Sequence, residues 1–418
     1  MNILFRNVCI KDKSSTHNDK IRDLLISNGV IVDISEKIDV KADKIIDSKG
    51  LYLSPGWIDI FVTGTDPGFE FKDDLDSLAA SASFGGYTHL FLTPNTNPIT
   101  QNKAAVQYIT EKKITQPVQF HPIGAVTKNT EGKELTEMYD MKNSGAIAFS
   151  DGSKSIQSAG LLIKALQYIK AFDGNIIQVP DDKSIAPNGL MHEGIVSTQI
   201  GLPGKPALAE EIMVARDIEL LRYTDSSLHI TGVTLATSVE MIRNAKKEGL
   251  KLTCSTTTHH LVFTDKDLLN SYNTNLKVNP PLRTEADRTA LIEAVKDGTI
   301  DCVTTHHTPQ NIDAKVCEFE YAGYGMLGLE TAFGILGNIG LSLDQILDVL
   351  HNNPRKIFGI CTTIEKGSVA DLTLFDPNGE HIATKEDLQS RSSNSPYIGM
   401  KLKGVVLGSI LSTKHNFK

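Results

Sequence analysis

The stretch PGWIDIFVTGTDPGFEFKDD, residues 55–74, marks a change of rhythm in the chain. Before it, short β-type runs alternate with turns: NILFRNVCI (2–10), DLLISNGVIVDI (23–34) and KIIDSKGLYLSP (44–55). Asn28-Gly29 sits between two apolar runs, the strongest short-range hairpin signal. After it, short apolar runs alternate with longer helical patterns, the signature of parallel β/α units. The candidate strands are IDIFV (58–62), HLFLT (89–93), VQFHPIG (118–124), AIAFS (146–150), NIIQV (175–179), SLHIT (227–231), KLTCS (251–255) and IDCVT (300–304). That makes eight, the number that closes a β/α barrel.

Helices with recognisable ends lie between the strands. Thr237-x-x-Glu240 reads as a capping box opening TSVEMIRNAKKEG, with Gly249 as its stop. Thr284 opens TEADRTALIEAVKDG, and Gly298 closes it. From about residue 355 β-type runs return, in VADLTLFD (369–376) and KGVVLGSILST (403–413). The expected architecture is α/β: an eight-stranded TIM-type barrel over residues 54–354. A small composite β-sandwich is expected from residues 1–53 and 355–418.

Composition narrows the function. The 418 residues are 40% hydrophobic and 22% charged, as in a soluble globular protein. A net charge of −8 gives no basic excess to displace phosphate counterions, which argues against nucleic-acid binding. No apolar run approaches membrane-spanning length, and the opening MNILFRNVCIKDK is too weakly apolar for a signal peptide. Five widely spaced cysteines (Cys9, Cys254, Cys302, Cys317, Cys361) form no C-x-x-C pair, so reduced thiols in a cytoplasmic protein are expected.

In such a barrel the chemistry sits at the carboxyl ends of the strands. Read in order, those ends resemble the dihydroorotases of the amidohydrolase superfamily. PGWIDIFVTGTDPGFEFKDD looks like their first-strand motif, and AASASFGGYTHLFLTPNTNP (79–98) like their Gly-Gly-x-Thr and Pro-Asn-Thr-x-Pro segment. The match continues through GAIAFSDG (145–152), HEGIVSTQIGLPGKPALAEEIMVARDIEL (192–220), THHLVFTD (258–265), NLKVNPPLRTEADR (275–288), GTIDCVTTHHTPQ (298–310) and GMLGLETAFG (325–334). EKGSVADLTLFDP (365–377) and SSNSPYIGMKLKG (392–404) resemble the closing portion.

The resemblance implies a hydrolase of pyrimidine biosynthesis that opens or closes the cyclic amide ring of dihydroorotate. In its active members one or two zinc ions lower the pKa of a bound water and polarise the scissile carbonyl. Carried over position by position, the expected ligands are largely missing. Period-two alternation turns Asp59, Phe61 and Thr63 to one face, and Phe61 and Thr63 stand where the family has His-x-His. Asp151 matches the bridging position. Gln178 and Gly232 replace histidines, and His306 replaces the proton-shuttling aspartate. Zinc needs three or four N, O or S donors, so one carboxylate cannot retain it.

Among substrate positions, Thr65 stands for the family arginine and Gln310 for a family histidine, whereas Asn95 and Asn279 match polar substrate contacts. His306 and His307 invite a metal reading, with a plainer alternative in which His307 hydrogen-bonds structurally and His306 lines a pocket.

The reading that follows is a non-catalytic dihydroorotase homologue, a pseudoenzyme with no cofactor, acting as a structural or regulatory partner. By analogy with the family the partner is aspartate transcarbamoylase, and homodimer formation is also expected. One alternative is an active cyclic amidohydrolase with a rearranged zinc site of Asp151, His229, His306 and His307. Another is a module binding a small metabolite.

Overall fold

The computed structural model describes residues 1–269 and 271–418. The eight candidate barrel strands all form, and they pair in parallel in chain order. They run Trp57–Val62, Tyr87–Leu92, Gln119–Gly124, Ala148–Phe149, Ile176–Gln178, Leu228–Thr231, Leu252–Thr257 and Cys302–Thr304. Near-continuous burial along them is what a parallel sheet covered on both faces requires.

The seam between the first and last strands is closed by a side chain. Asp59, fully buried, accepts hydrogen bonds from the Thr305 amide (2.8 Å) and hydroxyl (2.6 Å), and from the Thr304 hydroxyl. Thr63 N continues the seam by donating to His307 O at 3.0 Å. Burial raises the Asp59 pKa, and the four donors around it work in the opposite direction.

Helix ends follow side-chain chemistry, not always local. Thr284 and Asp287 form the expected capping box on Glu285–Lys296, and Gly298 takes a positive φ of 78° just past its end. The capping box expected at Thr237 does not form. That helix runs Ala236–Lys247, and its leading amides are met by distant carboxylates. Glu210 accepts from Thr234 N (2.9 Å) and Leu235 N (3.2 Å), and Asp287 from Ala236 N (3.1 Å). Any acceptor of the right geometry satisfies a first-turn amide, so a tertiary cap displaced the local one.

Both chain ends build a strand-rich sheet beside the barrel, with an apolar cluster of its own that includes Phe5, Leu24, Leu53, Leu372 and Ile410. Its strands connect as one hydrogen-bonded sheet of eight, not two separate layers. The Asn28-Gly29 turn joins strands Ile21–Ser27 and Val30–Ser35 with φ of 49° and 81°, as a two-residue hairpin requires. The expected boundary at residue 355 falls inside helix Asn353–Phe358, whose Phe358 packs in a cluster with barrel residues Phe61, Phe91 and Ile177. Among the described residues no helix is long and apolar enough to cross a membrane. All five cysteines are free thiols.

Candidate functional site

A cavity of about 640 Å³ opens at the carboxyl ends of the barrel strands. Phe61, Thr63, Thr65, Asn95, Asn279, His306 and Gln310 all line it, so the fold brings these sequence candidates together. Asp151, Gln178, Gly232, His229 and His307 are not part of its wall.

Each position can be followed atom by atom. Phe61 is buried, and its ring centroid lies 4.6 Å from that of His306. The Thr63 hydroxyl pairs with the Thr308 hydroxyl at 2.7 Å, and the Thr65 hydroxyl donates to Asp73 O at 2.7 Å. Gly232 has φ of 73°, where a Cβ would lie 3.0 Å from His306 Cε1. The His306 ring therefore occupies the ground a side chain at 232 would enter. His306 Nε2 in turn is 2.9 Å from the Thr231 hydroxyl. Two of the family's altered positions are thus one packing unit.

The remaining candidates are held by internal hydrogen bonds. Asp151 accepts from the Thr127 amide (2.9 Å) and hydroxyl; burial pushes its pKa up to about 6, and the Thr127 bonds oppose that rise. Gln178 clamps the backbone of Ile156 through both amide atoms, at 3.3 Å each. His229 lies between the Thr253 (2.8 Å) and Ser255 (3.0 Å) hydroxyls, and burial lowers its pKa to about 3. His307 Nδ1 accepts from the amides of Gly328 and Leu329, which fixes its proton on Nε2. The four alternative ligands Asp151, His229, His306 and His307 accordingly do not converge, because each is oriented by a different hydroxyl or amide. Among the described residues no three His, Cys, Asp or Glu side chains are arranged to hold a metal ion. The donor set does not fit zinc.

Asn95 and Asn279 line the cavity but are engaged in the protein's own bonds. Asn95 donates to Asp151 O (3.1 Å) and accepts from Ser153 N (3.2 Å). Asn279 completes a closed triad: Lys205 Nζ lies 2.6 Å from Asp181 Oδ1 and donates to Asn279 Oδ1 (3.1 Å), while Asn279 Nδ2 donates to Asp181 Oδ2 (3.1 Å). Gln310 Nε2 donates to Tyr324 O at 2.7 Å. His259 and His260 pack ring to ring at 4.5 Å; His260 bonds Thr257 and Pro280 O, whereas His259 faces the cavity.

Sequence reasoning missed the cationic wall made by Lys72, Lys183 and Lys205. Lysines in loops are ordinarily solvated, so nothing in the pattern singled them out. It also missed Asn394. This residue lies in the segment between the last long strands and braces the cavity rim by donating to Thr308 O (3.0 Å) and Gly325 O (3.2 Å).

Comparison with known proteins decides the family. The chain is 41% identical over 411 residues to a dihydroorotase of Ruminiclostridium cellulolyticum, covering 97% of this chain and 96% of that protein. The chain belongs to the dihydroorotase-like family. A dihydroorotase of Acetivibrio thermocellus is 42% identical over 404 residues, covering 95% of each chain. A family model described as dihydro-orotase-like matches residues 50–237. Among solved structures, the L-hydantoinase (dihydropyrimidinase) of Arthrobacter aurescens superposes with a TM-score of 0.86 over 99% of this chain and 95% of that one. At 24% identity that likeness speaks for the shared barrel fold alone.

Proposed function

We propose that this member of the dihydroorotase-like family does not carry out zinc-dependent ring hydrolysis, and that its barrel serves binding and assembly in the cytoplasm. The observation that carries the reading is the pairing of Gly232 with His306. The imidazole fills the space of a second-histidine ligand, and it stands where a proton-shuttling carboxylate is needed. Phe61 offers no lone pair, and Gln178 is tied to Ile156. When bound, zinc supplies hydroxide at neutral pH and polarises a carbonyl. No side chain here takes over either task, since the histidines nearby are neutral and hydrogen-bonded to hydroxyls.

The test is metal content together with turnover. The purified protein should hold well under one zinc per chain, and should neither hydrolyse dihydroorotate nor cyclise carbamoyl aspartate above background with zinc added. Near-stoichiometric zinc with turnover would establish a second reading, an active dihydroorotase using Asp151, His229, His306 and His307. That second reading is favoured by the names of relatives about 40% identical to this chain. It requires those side chains to leave their present partners.

For the assembly role the proposed partner is aspartate transcarbamoylase, on family analogy, with this chain as a homodimer. Co-elution of the two purified proteins on a sizing column would support it, and separate elution at micromolar concentration would remove it.

A further inference from the structure

Removing metal ions from a pocket built around them ought to leave it acidic, yet this cavity is not. Three ammonium groups line it, from Lys72, Lys183 and Lys205, against one carboxylate, Asp181. Lys205 and Asp181 neutralise each other at 2.6 Å. Lys72 and Lys183 have no carboxylate within 4.0 Å and donate no side-chain hydrogen bond among the described residues. The Lys72 ammonium is 5.4 Å from the Phe69 ring centroid and 5.9 Å from that of Phe71, so its neighbours are aromatic faces, not acceptors. Lys183 also borders a second hollow of about 340 Å³ together with Lys154, and the Lys154 ammonium disfavours its charge. Partial burial lowers the pKa of both Lys72 and Lys183. Two cations held apart from any counter-charge are unfavourable without a ligand, because repulsion and desolvation both act on them.

The neutral groups point the same way. Asn95 and Asn279 have their amides occupied internally. His259 is 3% exposed and lines the cavity, and its Nδ1 has no hydrogen-bond partner. Lys72 follows the first barrel strand and Lys183 the fifth, four strands away around the barrel. A small ligand lying across the mouth can therefore reach both.

We propose that Lys72 and Lys183 form a metal-free seat for a small organic acid, with Phe61 and Val179 as its apolar floor and His259 as an added polar contact. The proposal rests on the reading above that no zinc is held. In effect lysine ammoniums supply the positive charge that metal ions would supply, and they attract an anion without activating water.

Isothermal titration with EDTA present tests it, using succinate, malonate and inorganic phosphate as probes and succinamide as the uncharged control. At least one of the acids should bind about tenfold or more tighter than succinamide, as expected for a charge-assisted contact. Lys72→Gln and Lys183→Gln should each weaken that binding by about three- to tenfold, and the double variant should abolish it. Near-identical circular dichroism and melting would show that the variants fold, and Lys133→Gln, at the surface, should bind as the unaltered protein does. Absence of any preference for the acids over succinamide would overturn the proposal, as would unchanged binding in the double variant. The two readings fail separately. Zinc-dependent turnover beside lysine-dependent, EDTA-insensitive binding would sink the non-hydrolytic reading and leave the anion seat. No turnover and no acid binding would do the reverse.

Discussion

Buried histidines occur at both ends of this barrel, and the two sets have opposite partners. At the amino end His121, His89, Asp371, Arg355 and His351 form one chain: His121 Nε2 lies 2.9 Å from His89 Nδ1, and His89 Nε2 lies 3.0 Å from Asp371. Arg355 Nη2 donates to Asp371 at 2.6 Å, and Arg355 Nε donates to His351 Nδ1 at 2.8 Å. At the carboxyl end His229, His260, His306 and His307 meet hydroxyls, amides and carbonyls instead. Burial alone works against the Asp371 charge, but His89 and Arg355 outweigh it and hold the carboxyl well below the usual carboxylate range. The carboxyl-end imidazoles have no such counter-charge, and burial pushes His229, His260 and His307 to about 3. An imidazole is a charged tie where a carboxylate faces it and a neutral packing group where none does.

That contrast assigns stability to the amino end and ligand binding to the carboxyl end. The most damaging single change should accordingly be Asp371→Asn. It leaves Arg355 as a buried charge without its carboxylate, at a cost of about 3–5 kcal/mol. Gly56 has its part in the same tie: a Cβ there would fall 2.3 Å from Asp371 Oδ1 and 2.0 Å from the Thr88 hydroxyl. Urea unfolding should show the loss for Asp371→Asn. A change under about 1 kcal/mol would mean the network is not the fastening between sheet and barrel that its geometry describes.

A smaller effect is expected at the other end. Gly232→His places a side chain at positive φ against the His306 ring and should cost about 1–3 kcal/mol. Gly232→His with His306→Asp should recover part of that loss, since the shorter aspartate withdraws from the contested space. If the two changes simply add, the positions do not share that space. Phe61→His with Thr63→His should restore no ring hydrolysis, because 178, 232 and 306 still lack ligands. Turnover from that double variant would contradict the position-by-position reading.

How much of this was legible in the sequence differs between the same two regions. Barrel strand ends were readable because each combines a β-type apolar run with a recognisable motif, and residues such as Phe61, Thr65 and Gln310 fall on the cavity as expected. The amino-end network was not readable. It joins Thr88, Arg355 and Asp371, residues from distant segments that no local periodicity relates. The tertiary cap from Glu210 escaped for the same reason. Asn95 and Asn279 show a third limit: motif position predicts where a side chain lies, but not whether its donors are already taken.

Acid separates the two regions by degree. The neutral carboxyl-end histidines have folded pKa values near 3, below the unfolded value of about 6.5, so the unfolded chain binds more protons between those limits. Their contribution is complete above about pH 6.5 and is lost as pH falls toward 3. The Asp371 tie also favours the folded state at high pH, but its loss begins only below the unfolded carboxyl value of about 3.9. Stability measured from pH 7 to 4 should therefore fall first through the histidines. His229→Gln should flatten that part of the curve, and Asp371→Asn should leave its slope unchanged.

The smallest effect is expected at the one family metal position that keeps a carboxylate. Asp151 is pushed up to about 6 by burial, above its unfolded value of about 3.9. Its folded form therefore holds a proton the unfolded form has released, and its contribution declines as pH rises from 4 to 6. Asp151→Asn keeps an acceptor for Thr127 N, and its amide can donate to the Thr127 hydroxyl. It should change stability at pH 7 by less than about 1 kcal/mol and remove that acid-side gain. A carboxylate still used as a metal bridge would behave otherwise: its amide variant would lose bound metal, with little change in the pH dependence of folding. Metal content and unfolding curves of Asp151→Asn at pH 4, 6 and 7 thus decide whether the carboxyl end has become a folding element like the amino end.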